Sequence, residues 1–170
     1  KGHEDLIHAL PALLRRVPRL RLLLVGDGPL RSQLTGLAES LGVRDRITFA
    51  GLVPPGDMPR HIGIMDVLVH LSYREGLPRA LPQALAAGKP VVAYDCDGAN
   101  EVCFDEETGF LVQPGDLRSV TERLLRLACN PMLRTRLGDR GREFVRRNFA
   151  VAYLNKRRVP GVHVVMRTGE

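Results

Sequence analysis

The stretch DVLVHLSYREGLPRALPQALAAGKPVVAY, residues 66–94, decides the fold. Residues 66–71 form a short apolar run, the composition of a strand buried on both faces of a parallel sheet. Residues 79–87 carry a helical pattern that Gly88 closes. Pro82 suits that helix only near its start, because further in it would remove a backbone hydrogen bond. The run PVVAY then predicts the next strand over 90–94. Strand, loop, helix and strand in this order make a β-α-β unit with parallel strands.

The same alternation extends to both sides. Apolar residues at Leu6, Ile7, Leu10, Leu13 and Leu14 predict a helix over 4–16. RLLLVG predicts a buried strand over 21–26, and a helix follows over 29–41, ended by Gly42. Short strands are expected over 47–50 and 109–112, a short helix over 57–64, and amphipathic helices over 116–128 and 131–147. VPGVHVVMR, residues 159–167, allows either a late strand or an irregular tail. The predicted fold class is α/β, a Rossmann-like parallel sheet with helices on both faces. The division that follows is a domain over 1–149 and a C-terminal tail over 150–170.

Bulk properties narrow the function. At 170 residues, 44% hydrophobic and 26% charged, the chain can bury a core of its own. No apolar run approaches the roughly 20 residues of a membrane helix, and nothing at the start resembles a signal peptide. A cytoplasmic location is therefore expected. Cys96, Cys103 and Cys129 are an odd number without CxxC spacing, which argues for reduced thiols rather than disulfides or zinc. The five histidines show no HxxxH pair, so no metal is expected. The net charge of +6 is uneven: residues 1–117 sum to −3 and residues 118–170 to +9. A basic C-terminal third can mean nucleic acid, an anionic membrane surface or contact with another domain, and a solvated arginine-rich helix face is the favoured reading. No nucleic-acid partner is expected, because five Phe, three Tyr and no Trp give no aromatic-basic interleaving for base stacking.

In such a sheet ligands bind at the carboxyl ends of the strands, so function is sought in the loops there. The turn Gly26-Asp27-Gly28-Pro29 permits close backbone approach, and the amides after it can face an anion. Any strand-to-helix turn has these properties, and Arg31 occupies the place of the third glycine of a dinucleotide fingerprint. In residues 72–78, Glu75 stands where strand passes into loop and Gly76 removes the neighbouring side chain. Glu75 reads either as a ligand contact or as a partner of the helix dipole. Asp97 or Gly98 reads either as a helix cap or as a ligand contact.

Taken in order, KG at 1–2, VGDGP at 25–29, FAGLV at 49–53, the 66–93 segment, GANEV at 98–102 and TGFLV at 108–112 resemble one family. It is the C-terminal, donor-binding domain of the GT-B glycosyltransferases of family 4, a retaining group that uses UDP-, GDP- or ADP-sugars. The resemblance covers residues 1–149. It implies that Lys1 binds the donor diphosphate and that Glu75 contacts the donor sugar, the two positions closest to the chemistry. It implies that the backbone of Gly76 and Leu77 approaches sugar and phosphates. Gly26, Gly28, Gly51 and Leu52 are implied to line the nucleotide loops, with Val53 beside the base.

Three features depart from the family pattern. Gln83 replaces a second glutamate, eight residues after the first, that contacts the ribose hydroxyls. The strand expected before KG, with the arginine that partners the lysine, is missing. The tail after Phe149 does not match. The expected function is donor binding for retaining glycosyl transfer to an acceptor held by a missing N-terminal domain. The nucleotide sugar is the expected ligand, with no metal or other cofactor. A second reading is a catalytically inactive Rossmann-like module that binds a nucleotide or a protein, and Gln83 and the missing strand point towards it.

Overall fold

The computed structural model describes residues 2–76, 78–149 and 163–167, and of the last five the side chain of Met166. Strands β1 (Arg21–Val25), β2 (Ile47–Gly51), β3 (Val67–His70), β4 (Val91–Tyr94), β5 (Gly109–Val112) and β6 (His163–Arg167) form one sheet in the order β2-β1-β6-β3-β4-β5. The β1/β2, β3/β4 and β4/β5 pairs are parallel. Every residue of β3 and β4 is buried, which is why these strands read as unbroken apolar runs.

Helices cover both faces, and the two-residue period of the strands sorts the core. Val67, Val69 and Leu71 pack beneath α1 (His3–Arg16), α2 (Arg31–Ser40) and α5 (Leu117–Ala128). Leu68, Val91 and Ala93 face the other way, towards α3 (Met58–Gly63), α4 (Ala80–Ala86) and α6 (Pro131–Asn148). Asp116 caps α5 by accepting from the Ser119 amide, and Asn130 caps α6 by accepting from the Leu133 amide.

Two differences from the sequence expectation have physical causes. Helix α2 begins at Arg31, not at residue 29, because the Asp27 carboxylate accepts from the Gly28 amide and the Arg31 amide closes a turn on the Gly28 carbonyl. Residues 163–167 are a strand at the centre of the sheet, antiparallel to both β1 and β3, with Met166 buried. Residues 159–162 of that expected segment lie outside the described residues.

The strand order places the functional crevice. The chain moves from β1 to β2 on one side of the sheet and from β3 to β4 and β5 on the other. The reversal falls between β1 and β3, and at such a switch point the loops after the strands diverge and leave a crevice at their carboxyl ends.

Candidate active site

Four loops meet at that end of the sheet, following β1, β2, β3 and β4. The first two are tied together: the Gly26 amide donates to the Gly51 carbonyl at 2.8 Å. Both glycines have positive φ, 120° and 67°, where a side chain would be strained. Among the described residues, a side chain at Gly28 or Gly76 would meet no atom within 4 Å, which leaves room over these two positions for a ligand. Leu52 is 71% exposed, and Val53 beside it is half-buried. Among the described residues nothing buries this apolar side chain.

Gly2 has a tighter role. A Cβ there would lie 2.0 Å from the Leu71 carbonyl oxygen, just past the end of β3, and its φ is 62°. Only glycine fits this approach, which brings the start of α1 to the mouth of the crevice. Lys1 lies outside the described residues. Beside Gly2, an open hollow of about 240 Å³ is lined by Asp5, Leu30 and Tyr73 among others. The Asp5 carboxylate accepts from the Tyr73 hydroxyl at 2.6 Å and the Tyr94 hydroxyl at 2.7 Å. These bonds pin the first turn of α1 to the 72–78 loop and to the end of β4. Burial, followed by the bond to Asp5, pushes the Tyr94 hydroxyl far above its usual range, so it stays protonated as a donor.

Glu75 is fixed from two directions. Its amide donates to Asp97 Oδ2 at 2.6 Å, and its Oε2 lies 3.0 Å from Nε2 of His70. The carboxylate side chain is 25% exposed, so it is braced by the protein yet reachable. Asp97 makes no cap for the short 3₁₀ turn Asp97–Glu101 that it opens. It sits instead with φ 47°, a left-handed conformation uncommon outside glycine. Beside it, the Cys96 thiol donates to the Ser72 carbonyl at 2.8 Å.

The structure thus gathers Gly26, Gly28, Gly51, Leu52, Val53, Glu75 and Gly76 at one end of the sheet. Leu77 lies outside the described residues. Gln83 is half-buried, one turn into α4, the helix that leads away from the Glu75 loop. His70 escaped the sequence reading, and so did the partner of Asp97. His70 had a visible signal, a histidine inside a run of otherwise apolar strand residues. Asp97 was visible as a polar loop residue, but its reach to Glu75 spans 22 positions of sequence.

The basic third shows much internal pairing. Arg142 pairs with Asp139 at 3.3 Å, and Arg146 and Arg147 share Glu143 at 3.0 and 2.6 Å. These are solvated pairs along α6, each of small energetic weight. Among the described residues no helix is long and apolar enough to cross a membrane. The three cysteines are free thiols.

Comparison with known proteins fits this arrangement. The family described as Glycosyl transferases group 1 matches residues 1–144, and the chain belongs to it. A GDP-mannose-dependent alpha-(1-6)-phosphatidylinositol monomannoside mannosyltransferase from Mycolicibacterium smegmatis is 34% identical over 156 residues, which is 88% of this chain and 41% of that protein. The Anabaena protein Alr3699/HepE, solved in complex with UDP, superposes with a TM-score of 0.80 at 26% identity, over 92% of this chain and 43% of that one. The C-terminal domain of the group 1 glycosyl transferase LpcC from Francisella tularensis shares the fold alone, with a TM-score of 0.81 at 23% identity, over 89% of this chain and 80% of that one. The fold is the Rossmann-like α/β fold of GT-B glycosyltransferase C-terminal domains. The chain spans 36–45% of the length of the curated relatives it matches.

Proposed function

We propose that this chain is the donor-binding half of a retaining glycosyltransferase and holds a nucleoside-diphosphate sugar across the crevice between β1 and β3. The observation that carries this reading is Glu75, a partly exposed carboxylate braced at the mouth of that crevice, opposite the glycine turns after β1 and β2. UDP bound to Anabaena HepE and the GDP-mannose dependence of the mycobacterial relative support a nucleotide-sugar ligand.

In this reading the nucleotide lies against the loops of Gly26, Gly28, Gly51 and Leu52, with its base beside Val53. Gln83 faces the ribose. The diphosphate meets Lys1 and the backbone at Gly76 and Leu77, and the sugar hydroxyls meet Glu75. As the glycosidic bond breaks, negative charge grows on the departing diphosphate, and a lysine with preorganised amides stabilises it without a metal. Glu75 binds the sugar and is not a nucleophile, since the diphosphate itself assists the retaining step. A second, N-terminal domain holds the acceptor and excludes water.

Calorimetric titration of the 170-residue chain with UDP, GDP, ADP and their sugar conjugates tests the reading. Lys1→Ala is expected to weaken bare and sugar-bearing nucleotides alike. Glu75→Ala is expected to weaken the sugar-bearing ligand alone, and equal losses for both overturn its assignment. The chain by itself is expected to transfer no sugar, because acceptor positioning supplies much of the rate. Robust transfer by this chain alone would refute the two-domain part.

A further inference from the structure

Strand β3 is buried along its whole length, and His70 is its one polar side chain. The alternation that sends Leu68 into the α4 core sends His70 to the same side, under the loop that carries Glu75. At 8% exposure the imidazole is nearly out of water. A polar ring in that position loses hydration that a valine or leucine would not have had, so a partner is required to offset the loss. The partner in reach is Glu75, with Nε2 and Oε2 3.0 Å apart. Both atoms are fully enclosed, and the contact is an ion-pair approach rather than a hydrogen bond, so it is electrostatic. Of the two neutral ring tautomers, the one with its proton on Nε2 makes this contact attractive, since a nitrogen lone pair there would repel the carboxylate.

We infer that His70 is a positioning residue for Glu75: its ring holds one carboxylate oxygen from inside the fold and so fixes the direction in which the carboxylate faces the sugar of the donor. The inference rests on the reading that Glu75 meets that sugar. Two separate anchors, the Asp97 contact on the backbone and His70 on the side chain, leave the carboxylate little freedom to turn. Holding a hydrogen-bonding group in its bound orientation before the ligand arrives removes the ordering cost from binding. The consequence falls on the sugar increment, the ratio of sugar-nucleotide affinity to bare-nucleotide affinity. The nucleotide itself is untouched.

The test measures that ratio for UDP-glucose against UDP, and for GDP-mannose against GDP, on the 170-residue chain. His70→Leu is expected to lower it by about fivefold while the bare nucleotide binds as before. His70→Gln carries an amide N–H to nearly the place of Nε2 and is expected to restore most of the ratio. In a Glu75→Ala background, His70→Leu is expected to add nothing. If Glu75→Ala leaves the ratio unchanged, the sugar reading of Glu75 fails. If Glu75→Ala lowers it and His70→Leu does not, the positioning role alone fails. A ligand-independent measurement covers a variant that does not fold or a set of ligands that does not bind. In ¹⁵N spectra of the imidazoles, His70 is expected as the Nε2–H form, with its Nε2 resonance displaced by Glu75→Gln. A His70 ring that does not respond to that substitution overturns the inference.

Discussion

The backbone amide of Glu75 donates to the carboxylate of Asp97 at 2.6 Å, joining the loop after β3 to the loop after β4. Asp97 accepts from this amide while held in a left-handed conformation with φ 47°. A non-glycine residue in that region carries local strain, and such strain persists where the surroundings over-determine it. Here the over-determining contact reaches the residue to which sugar recognition is assigned.

Asp97→Ala is therefore expected to loosen Glu75 without unfolding the domain. It removes the acceptor and places a residue poorly suited to positive φ. The bond lies near solvent, so its worth is about 1 kcal/mol, or about fivefold in affinity. Sugar-nucleotide binding should fall by that factor, and Asp97→Asn, which keeps an acceptor and tolerates the conformation, should lose less. Calorimetry on the three proteins checks this. Equal binding by all three removes Asp97 from the site.

The limits of what was legible in the sequence follow from the same contacts. Strands β3 and β4 were plain because burial on both faces demands apolar residues throughout, and the loops after them were then fixed in place by topology. The lane of β6 was not, because the residues 163–167 read locally as a strand while their neighbours, β1 and β3, are determined by pairing across the whole chain. Asp97 reads as a cap or as a ligand contact, since polar loop residues before a short helix serve in both ways. Its actual partner is distant in sequence, and no local pattern encodes such a reach. Pro29 read as the first helical residue, but the Asp27 side chain formed a competing turn.

Thiol reactivity should rank the three cysteines by environment. Cys103 is buried, and burial, with Asp105 and Asp95 adding to it, pushes its thiol far above the ordinary range. Burial followed by the nearby Asp97 and Asp95 raises Cys96 as well. The thiolate is the reactive form, so both should resist alkylation near neutral pH, and Cys129, exposed at the end of α5, should react first. Iodoacetamide labelling followed by peptide mapping decides the order. Early modification of Cys103 in the folded protein contradicts the packing described.

Gly138 offers a test of the α4/α6 interface on which the Glu75 loop and α4 depend. In an exposed helix, glycine to alanine gains about 1 kcal/mol from propensity alone. At Gly138 the added methyl would lie 2.0 Å from the Gly88 carbonyl oxygen, a backbone atom with little room to yield. Overpacking of this kind costs about 1–3 kcal/mol. Gly138→Ala should therefore lower the denaturant midpoint, whereas a midpoint at or above wild type means the two helices are not so closely seated.

Gln83→Glu tests the most informative departure from the family pattern. Gln83 is the fourth residue of α4, half-buried, on the helix that starts beyond the Glu75 loop. In the proposed pose it meets the ribose, where a carboxamide makes neutral hydrogen bonds worth about 0.5–1.5 kcal/mol net. A carboxylate accepting from ribose hydroxyls makes charge-assisted bonds worth about 1.5–3 kcal/mol. Two terms oppose the gain. Partial burial disfavours the charged form, and the donor diphosphate repels a new negative charge nearby. The balance should tighten nucleoside diphosphate binding by about tenfold at most, since 1.4 kcal/mol is the tenfold step. Titration of wild type and Gln83→Glu with UDP and GDP, beside their 2′,3′-dideoxy analogues, separates a ribose contact from a general electrostatic change. A gain confined to the ribose forms supports the contact. Unchanged affinity, or equal gains for the dideoxy forms, means that Gln83 does not touch the ribose and serves α4 alone.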